Sequence, residues 1–196
     1  MMKRCIIGNM RRFWFGLIIL LLTAMPARAE ESEMFQKEVP HFGQVAENLY
    51  RGAQPTPEGL RLLKEKGIRT IINFRHEPKP AERERQRAEA LGLRYIHLPW
   101  RIQKHPETPA MQSFLDEVSA PENGPFFMHC RRGSERTGVA SALYYIWKDG
   151  LDRETALARA TEGYPVLFYW KPFIKWRLED FLKDLNLAAK SDNPAV

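Results

Sequence analysis

Residues 126–138, FFMHCRRGSERTG, constrain the fold of this chain more than any other stretch. An apolar run too short for a helix ends at His129–Cys130, turns through Gly133, and restarts beyond Arg136–Thr137. The next stretch, TGVASALYYIW over 137–147, is apolar almost all round, as in a helix buried mid-domain. The rest of the chain alternates in the same way. Residues 45–50 lead into a short strand. Thr56 and Pro57 read as the N-cap and first residue of a helix that Gly67 stops. IRTIINF, 68–74, reads as a buried strand. Prolines at 78 and 80 mark a loop, and the charge-dense 81–91 reads as a helix with a solvated face. Strands over 93–98 and 125–128 come next, with helices over 110–118, 152–162 (Asp152 as N-cap) and 173–185. This alternation predicts an α/β fold with a central, mostly parallel sheet flanked by helices. Function in such folds sits in loops at the carboxyl ends of strands, where Cys130 falls.

The chemistry of HCRRGSERTG can be built from its parts. A strand-to-helix loop can curl its N–H groups inward as an anion-binding nest, and the next helix N-terminus adds positive potential. Gly133 supplies backbone freedom at the tightest point. Arg136, six residues past Cys130, can fork onto two phosphate oxygens. The field that attracts a dianion also favours the thiolate of Cys130, which would sit beneath a bound phosphate as a nucleophile. Thr137 is placed to bond the sulfur and help it leave. His129 is expected to brace the loop through backbone contacts. The bland alternative is a buried small hydrophobe. Against it, a chance match to His before Cys, Gly at +3, Arg at +6 and Ser/Thr at +7 has odds on the order of 10⁻⁵.

HCRRGSERTG resembles the signature loop, His-Cys-five residues-Arg-Ser/Thr, of the cysteine-dependent protein tyrosine and dual-specificity phosphatase superfamily. NLYRGAQPTPEGLRLLKEKGIRTIINFR and LGLRYIHLPW are similar to the small bacterial dual-specificity-like branch, and more distantly to atypical members of plants and fungi. The resemblance spans about residues 41–165. It implies a single-domain phosphatase fold and a phosphocysteine intermediate on Cys130. It also implies phosphate binding by Arg136 and the loop residues Arg131, Arg132, Gly133, Ser134 and Glu135, with no metal or other cofactor. Arg51 and Gln54 match as well and read as mainly structural.

The proton donor departs from that pattern. The superfamily usually places an Asp upstream of the signature, but here that loop, WRIQKHPETP, has none. Its candidates are Glu107 and, less aptly, His105; Asp116 on the next helix is expected to face solvent. Glu135, inside the signature, is the other candidate, and it resembles the Asp proposed as the acid in myotubularin-like lipid phosphatases. Glu135 and Glu107 both stay open at this point.

Composition bounds the partners. The 196 residues suit one domain, and the net charge of +6 suggests nucleic-acid or membrane binding until it is located. Lys3, Arg4, Arg11, Arg12 and Arg28 put five of those charges in residues 1–29, which hold no acid, so the remainder carries +1. A basic start, the apolar run FWFGLIILLLTAM and Ala27-Arg28-Ala29 read as a signal peptide over 1–29 and predict export, to a periplasm in the bacterial case; an uncleaved anchor is the alternative. The expected organisation continues with a flexible segment over 30–40, a phosphatase domain over 41–187 and a tail over 188–196. Cleavage would leave Cys130 as the sole cysteine, with no resolving thiol for dithiol redox chemistry. The expected partner is a phosphorylated substrate: a phosphoprotein, a phosphoinositide or another phosphomonoester. Nucleic acid and stable membrane insertion after cleavage are not expected, and a monomer is. Two competing readings remain: a phosphatase-like module that holds phospho-ligands without turnover, and a sulfurtransferase.

Overall fold

LYRG, TIIN, RYIH and FFMH form β2 (Leu49–Gly52), β3 (Thr70–Asn73), β4 (Arg94–His97) and β5 (Phe126–His129), and GQVA adds β1 (Gly43–Ala46). This computed structural model describes residues 32–104, 108–164, 166 and 168–187. The sheet runs β1-β2-β5-β3-β4; β1 is antiparallel to β2, and the other neighbouring pairs are parallel. All four residues of β5 are buried, as expected of a parallel strand covered on both faces. Its last residue, His129, lies level with Gly52 of β2 and Asn73 of β3. The chain therefore leaves the middle of the sheet at Cys130, with strand ends on both sides.

The helices are α1 (Pro57–Glu65), α2 (Pro78–Ala90), α3 (Thr108–Ser119), α4 (Glu135–Asp149), α5 (Arg153–Thr161) and α6 (Lys171–Asp184). Strand alternation divides the side chains between two faces. Ile72, Phe126, Met128 and Cys130 join the core built with α3, α4, α5 and α6. The intervening Asn73 and His129 point to the other face, where α2 meets them through Glu84. α4 is the central helix: Val139, Ala140, Ala142 and Leu143 are fully buried, and Gly150 in the left-handed region closes it. Thr56 caps α1 by accepting from Gly59 N, and Asp152 caps α5 by accepting from Thr155 N.

Two expectations are corrected and one is sharpened. The segment 45–50 does lead into a strand, β2, but through a hairpin turn in which Glu47–Asn48 reverses the chain between β1 and β2. Pro78 and Pro80 lie inside the first turn of α2, where a missing N–H leaves no helical bond unmade. In the segment 30–40, expected to be loose, residues 32–38 are helical, consistent with SEMFQKE lacking Gly and Pro. Met1–Lys37 and Glu38–Val196 form separate units. In the second, Val39 is fully buried, and the carbonyls of Glu38 and Pro40 accept from Thr56 N (3.0 Å) and Ala53 N (2.7 Å). Ordered packing there starts before residue 41 because those bonds anchor the chain. Residues 1–29, read as a signal peptide, and the tail 188–196 lie outside the described residues. Among the described residues no helix is long and apolar enough to cross a membrane.

Candidate active site

Cys130 is 1% exposed at the end of β5, and its Sγ accepts from Gly133 N at 3.2 Å. The loop has thus turned an amide inward onto the sulfur, as an anion-binding curl requires. Gly133 has φ +74°, and a Cβ there would lie 2.5 Å from the Gly52 carbonyl carbon. Its own carbonyl accepts from Arg51 Nη2 at 2.7 Å, while Arg51 Nη1 donates to Ala160 O at 2.5 Å. The guanidinium is buried beneath the Tyr164 ring, 3.6 Å from its centroid. Burial lowers the Arg51 pKa from its ordinary value, with Tyr164, Cys130 and Tyr145 opposing. Arg51 therefore ties the signature loop to the end of α5. Gln54 N donates to Arg131 O at 3.4 Å, so the structural reading of both residues agrees with where they lie.

A cleft of about 240 Å³ opens over the loop. Arg131, Arg132, Glu135 and Arg136 line it from the signature, and Arg101 and Gln103 from the segment after β4. Arg131 and Arg132 are exposed, whereas Ser134, the residue before α4, is buried with Oγ toward Arg132 O at 3.4 Å. Glu135 opens α4 at 6% exposure and pairs with Arg132 at 2.7 Å, so its neighbour in the loop is Arg132. Arg136 Nη1 donates to Phe74 O at 3.1 Å, and lies 3.3 Å from His76 Nδ1 and 3.5 Å from Trp100 O. Thr137 Oγ1 is fully buried and has no hydrogen-bond partner among the described residues, so its expected bond to the sulfur is not made here. His129 is also fully buried, with Nδ1 3.2 Å from Cys130 O.

Sequence reasoning misses several residues of the cleft. His76 and Glu77 enter from the end of β3, and Trp170 from the C-terminal side. The rule that function gathers at strand carboxyl ends could have found the first two; nothing local marks Trp170. Burial lowers the pKa of His76, with Arg136, Arg101 and Arg75 adding to it against Glu77. His76 is thus suited to accept from Arg136 as the neutral ring. Arg75 grips both Glu77 oxygens, at 2.9 and 3.2 Å, and holds that carboxyl down at about 2. Glu77 is therefore no proton donor at neutral pH. Asp116 is exposed on α3 as expected. Glu107 and His105 lie outside the described residues.

Glu84 of α2 is the other residue missed. The charge density of 81–91 suggests a solvated face, but Glu84 is 3% exposed beside His129. The signal is present in phase: Ala81 and Ala88 define the buried stripe of α2, and Glu84 falls between them.

Three comparisons bear on this arrangement. TpbA, a dual specificity protein phosphatase of Pseudomonas aeruginosa (strain UCBPP-PA14), is 26% identical over 119 residues, 61% of this chain and 52% of that one. Inositol diphosphatase DSP3 of Arabidopsis thaliana is 31% identical over 102 residues, half of each chain. The chain thus spans about half the length of these curated relatives. The crystal structure of P. aeruginosa TpbA superposes with a TM-score of 0.60 at 24% identity, over 70% of this chain and 83% of that one, which shows the shared fold. Residues 29–166 match the family model described as DSP-PTPase phosphatase fused to NAD+ kinase, so the chain belongs to that phosphatase family.

Proposed function

We propose that this protein hydrolyses phosphomonoesters through a phosphocysteine on Cys130. One observation carries the reading: a buried Sγ at the end of the central strand, with Gly133 N–H turned onto it at 3.2 Å, in a loop whose Arg131, Arg132 and Arg136 line a cleft. As thiolate, Sγ attacks phosphorus, and the bond to the leaving oxygen breaks. Arg136 exchanges its bonds to Phe74 O and His76 for two phosphate oxygens, and the loop amides take the rest. Glu135 supplies the proton to the leaving oxygen once its partner Arg132, 2.7 Å away, turns to the phosphate; the cleft's other described carboxylate, Glu77, is gripped through both oxygens by Arg75. Water then attacks phosphorus, gives its proton to the Glu135 carboxylate, and the S–P bond breaks. Thr137 Oγ1, buried and without a hydrogen-bond partner among the described residues, is placed to donate to the departing sulfur.

The substrate belongs among the phosphorylated proteins, phosphoinositides and other phosphomonoesters. TpbA is named as a protein phosphatase and DSP3 as an inositol diphosphatase, which supports keeping a protein class and an inositol-based class in view. Export is part of the reading and rests on the order of basic, apolar and small residues in 1–29. Cell fractionation together with the mass of the recovered chain checks it; a mature chain starting at Glu30 is expected.

The central test is hydrolysis of p-nitrophenyl phosphate. Turnover is expected, and Cys130→Ser should abolish it; phosphate binding with no turnover by the unaltered chain would sink the proposal in favour of a binding module. For the acid, Glu135→Gln is compared on aryl phosphates with poor and good leaving groups. A loss of about 10²- to 10⁴-fold on the poor one and little on the good one is expected. Equal losses on both remove Glu135 from the role.

A further inference from the structure

Arg136 Nη1 faces three acceptors: Phe74 O at 3.1 Å, His76 Nδ1 at 3.3 Å and Trp100 O at 3.5 Å. Two are carbonyls, which accept at any pH. His76 differs. A guanidinium can only donate, so Nδ1 offers its lone pair to Arg136 and the neutral ring carries its proton on Nε2. That lone pair holds either the Arg136 N–H or a proton of its own, and not both.

A partner for the protonated ring is already in place. Glu77 Oε2 lies 3.5 Å from the same Nδ1. Arg75 donates to Glu77 Oε1 at 2.9 Å and to Oε2 at 3.2 Å, and a carboxylate oxygen has room for a second donor. The His76 side chain is 33% exposed, so solvent can deliver a proton to it. The empty cleft disfavours that proton. Burial leads in lowering the His76 pKa, Glu77 opposes, and Arg136, Arg101 and Arg75 each add to the lowering. The other charged groups of the cleft are Arg131, Arg132 and Glu135 on the signature side, the last paired with Arg132 at 2.7 Å.

We propose that anion binding in the signature loop loads a proton onto His76: as Arg136 turns to a bound phosphate, the vacated Nδ1 takes a proton from solvent and its new N–H donates to Glu77 Oε2. The cleft thus gains one positive charge as a dianion enters it. Two changes favour the imidazolium in the complex, since Arg136 gives up the lone pair and the ligand balances its charge. His76 touches no substrate in this account; it is a positioning residue that holds Arg136 in the empty cleft and strengthens the field in the filled one. This coupling rests on the reading that Arg136 takes the phosphate, and it needs no turnover.

A group that binds its proton more tightly in the complex makes ligand binding tighter as pH falls between its bound and free pKa values. The free value of His76 lies below the ordinary 6.5. The test titrates the His76 ring by NMR in the unaltered protein, with and without saturating sulfate, a tetrahedral dianion that does not itself titrate near neutral pH. The midpoint is expected to move up by about one pH unit with sulfate bound; an unmoved or lowered midpoint overturns the proposal without any variant. Sulfate affinity is then measured against pH in Cys130→Ser, where no site thiol titrates. It is expected to rise about tenfold from pH 8 to pH 5.5, one unit of pKa being one decade of affinity. Adding His76→Asn should remove that rise, and a double variant that keeps it in full assigns the proton elsewhere and overturns the proposal. Sulfate that fails to bind at all removes the anion cradle, and this coupling and the phosphatase reading fall together. Sulfate that binds while His76 stays put removes the coupling alone. Coupling in a chain that hydrolyses no phosphate ester would sink the phosphatase reading alone.

Discussion

A methyl group at residue 133 would lie 2.5 Å from the Gly52 carbonyl carbon and 2.6 Å from Ala53 N, backbone atoms that cannot rotate away. Gly133 also sits at φ +74°, where any other L-residue is strained by about 1–2 kcal/mol before it meets a neighbour. The same residue gives its N–H to Cys130 Sγ and its carbonyl to Arg51. Small size, a left-handed backbone and two hydrogen bonds thus converge on one position, and they couple loop shape to nucleophile placement. Gly133→Ala is expected to destabilise the domain by at least about 2 kcal/mol, since strain and backbone overlap add. Phosphatase activity should fall further than stability does, because relief of the overlap has to swing the amide off Sγ. Urea unfolding beside p-nitrophenyl phosphate kinetics checks both, and an Ala variant of unchanged stability contradicts the steric account.

At the scale of elements, α2 shows where sequence reading succeeds and where it stops. The strands TIIN and FFMH and the capped start of α1 are legible because burial and capping leave local patterns. The signature loop is legible as well, since its spacing is set by one tight turn around a sulfur. Glu84 is hidden because a carboxylate reads as surface unless its partners are known. Those partners, Gln54, Asn73, Tyr95 and His129, come from four other segments of the chain. Trp170 of the cleft is hidden for the same reason, since its role depends on which segments the fold brings together, whereas His76 lies within reach of the strand-end rule. The lowered pKa of Glu84 makes a prediction at this scale. A carboxylate with a depressed native pKa contributes stability that is complete above its unfolded value, about 4.3, and that fades as pH falls through the native one. Wild type is therefore expected to lose more stability than Glu84→Gln between pH 7 and pH 3. Denaturant midpoints of the two proteins at both pH values measure the difference, and parallel losses would show that Glu84 is not held ionised in the fold.

For the molecule as a whole, the match to the family model stops at residue 166, but the packing does not. α6 buries Ile174, Leu178, Phe181 and Leu182, and Phe181 meets the edge of Trp100 at 5.4 Å between centroids. Trp100 is 1% exposed, and its carbonyl faces Arg136 at 3.5 Å. α6 thus supports the segment that borders the cleft. It also supplies part of the shared core, since Leu178 and Phe181 are fully buried in the cluster that includes Cys130 and Leu143. Complete burial of one such side chain is worth about 1.5–3 kcal/mol. Four of them amount to roughly the entire margin of an ordinary domain, about 5–15 kcal/mol. A chain ending at residue 166 is therefore expected to lack cooperative thermal unfolding, whereas one ending at residue 187 should retain it. Phe181→Ala provides the graded version. It should cost about 3–5 kcal/mol and should lower kcat/KM at temperatures where the fold persists, because the Trp100 segment loses its support. A shortened chain that melts cooperatively would show instead that the sheet and the first five helices close a core of their own.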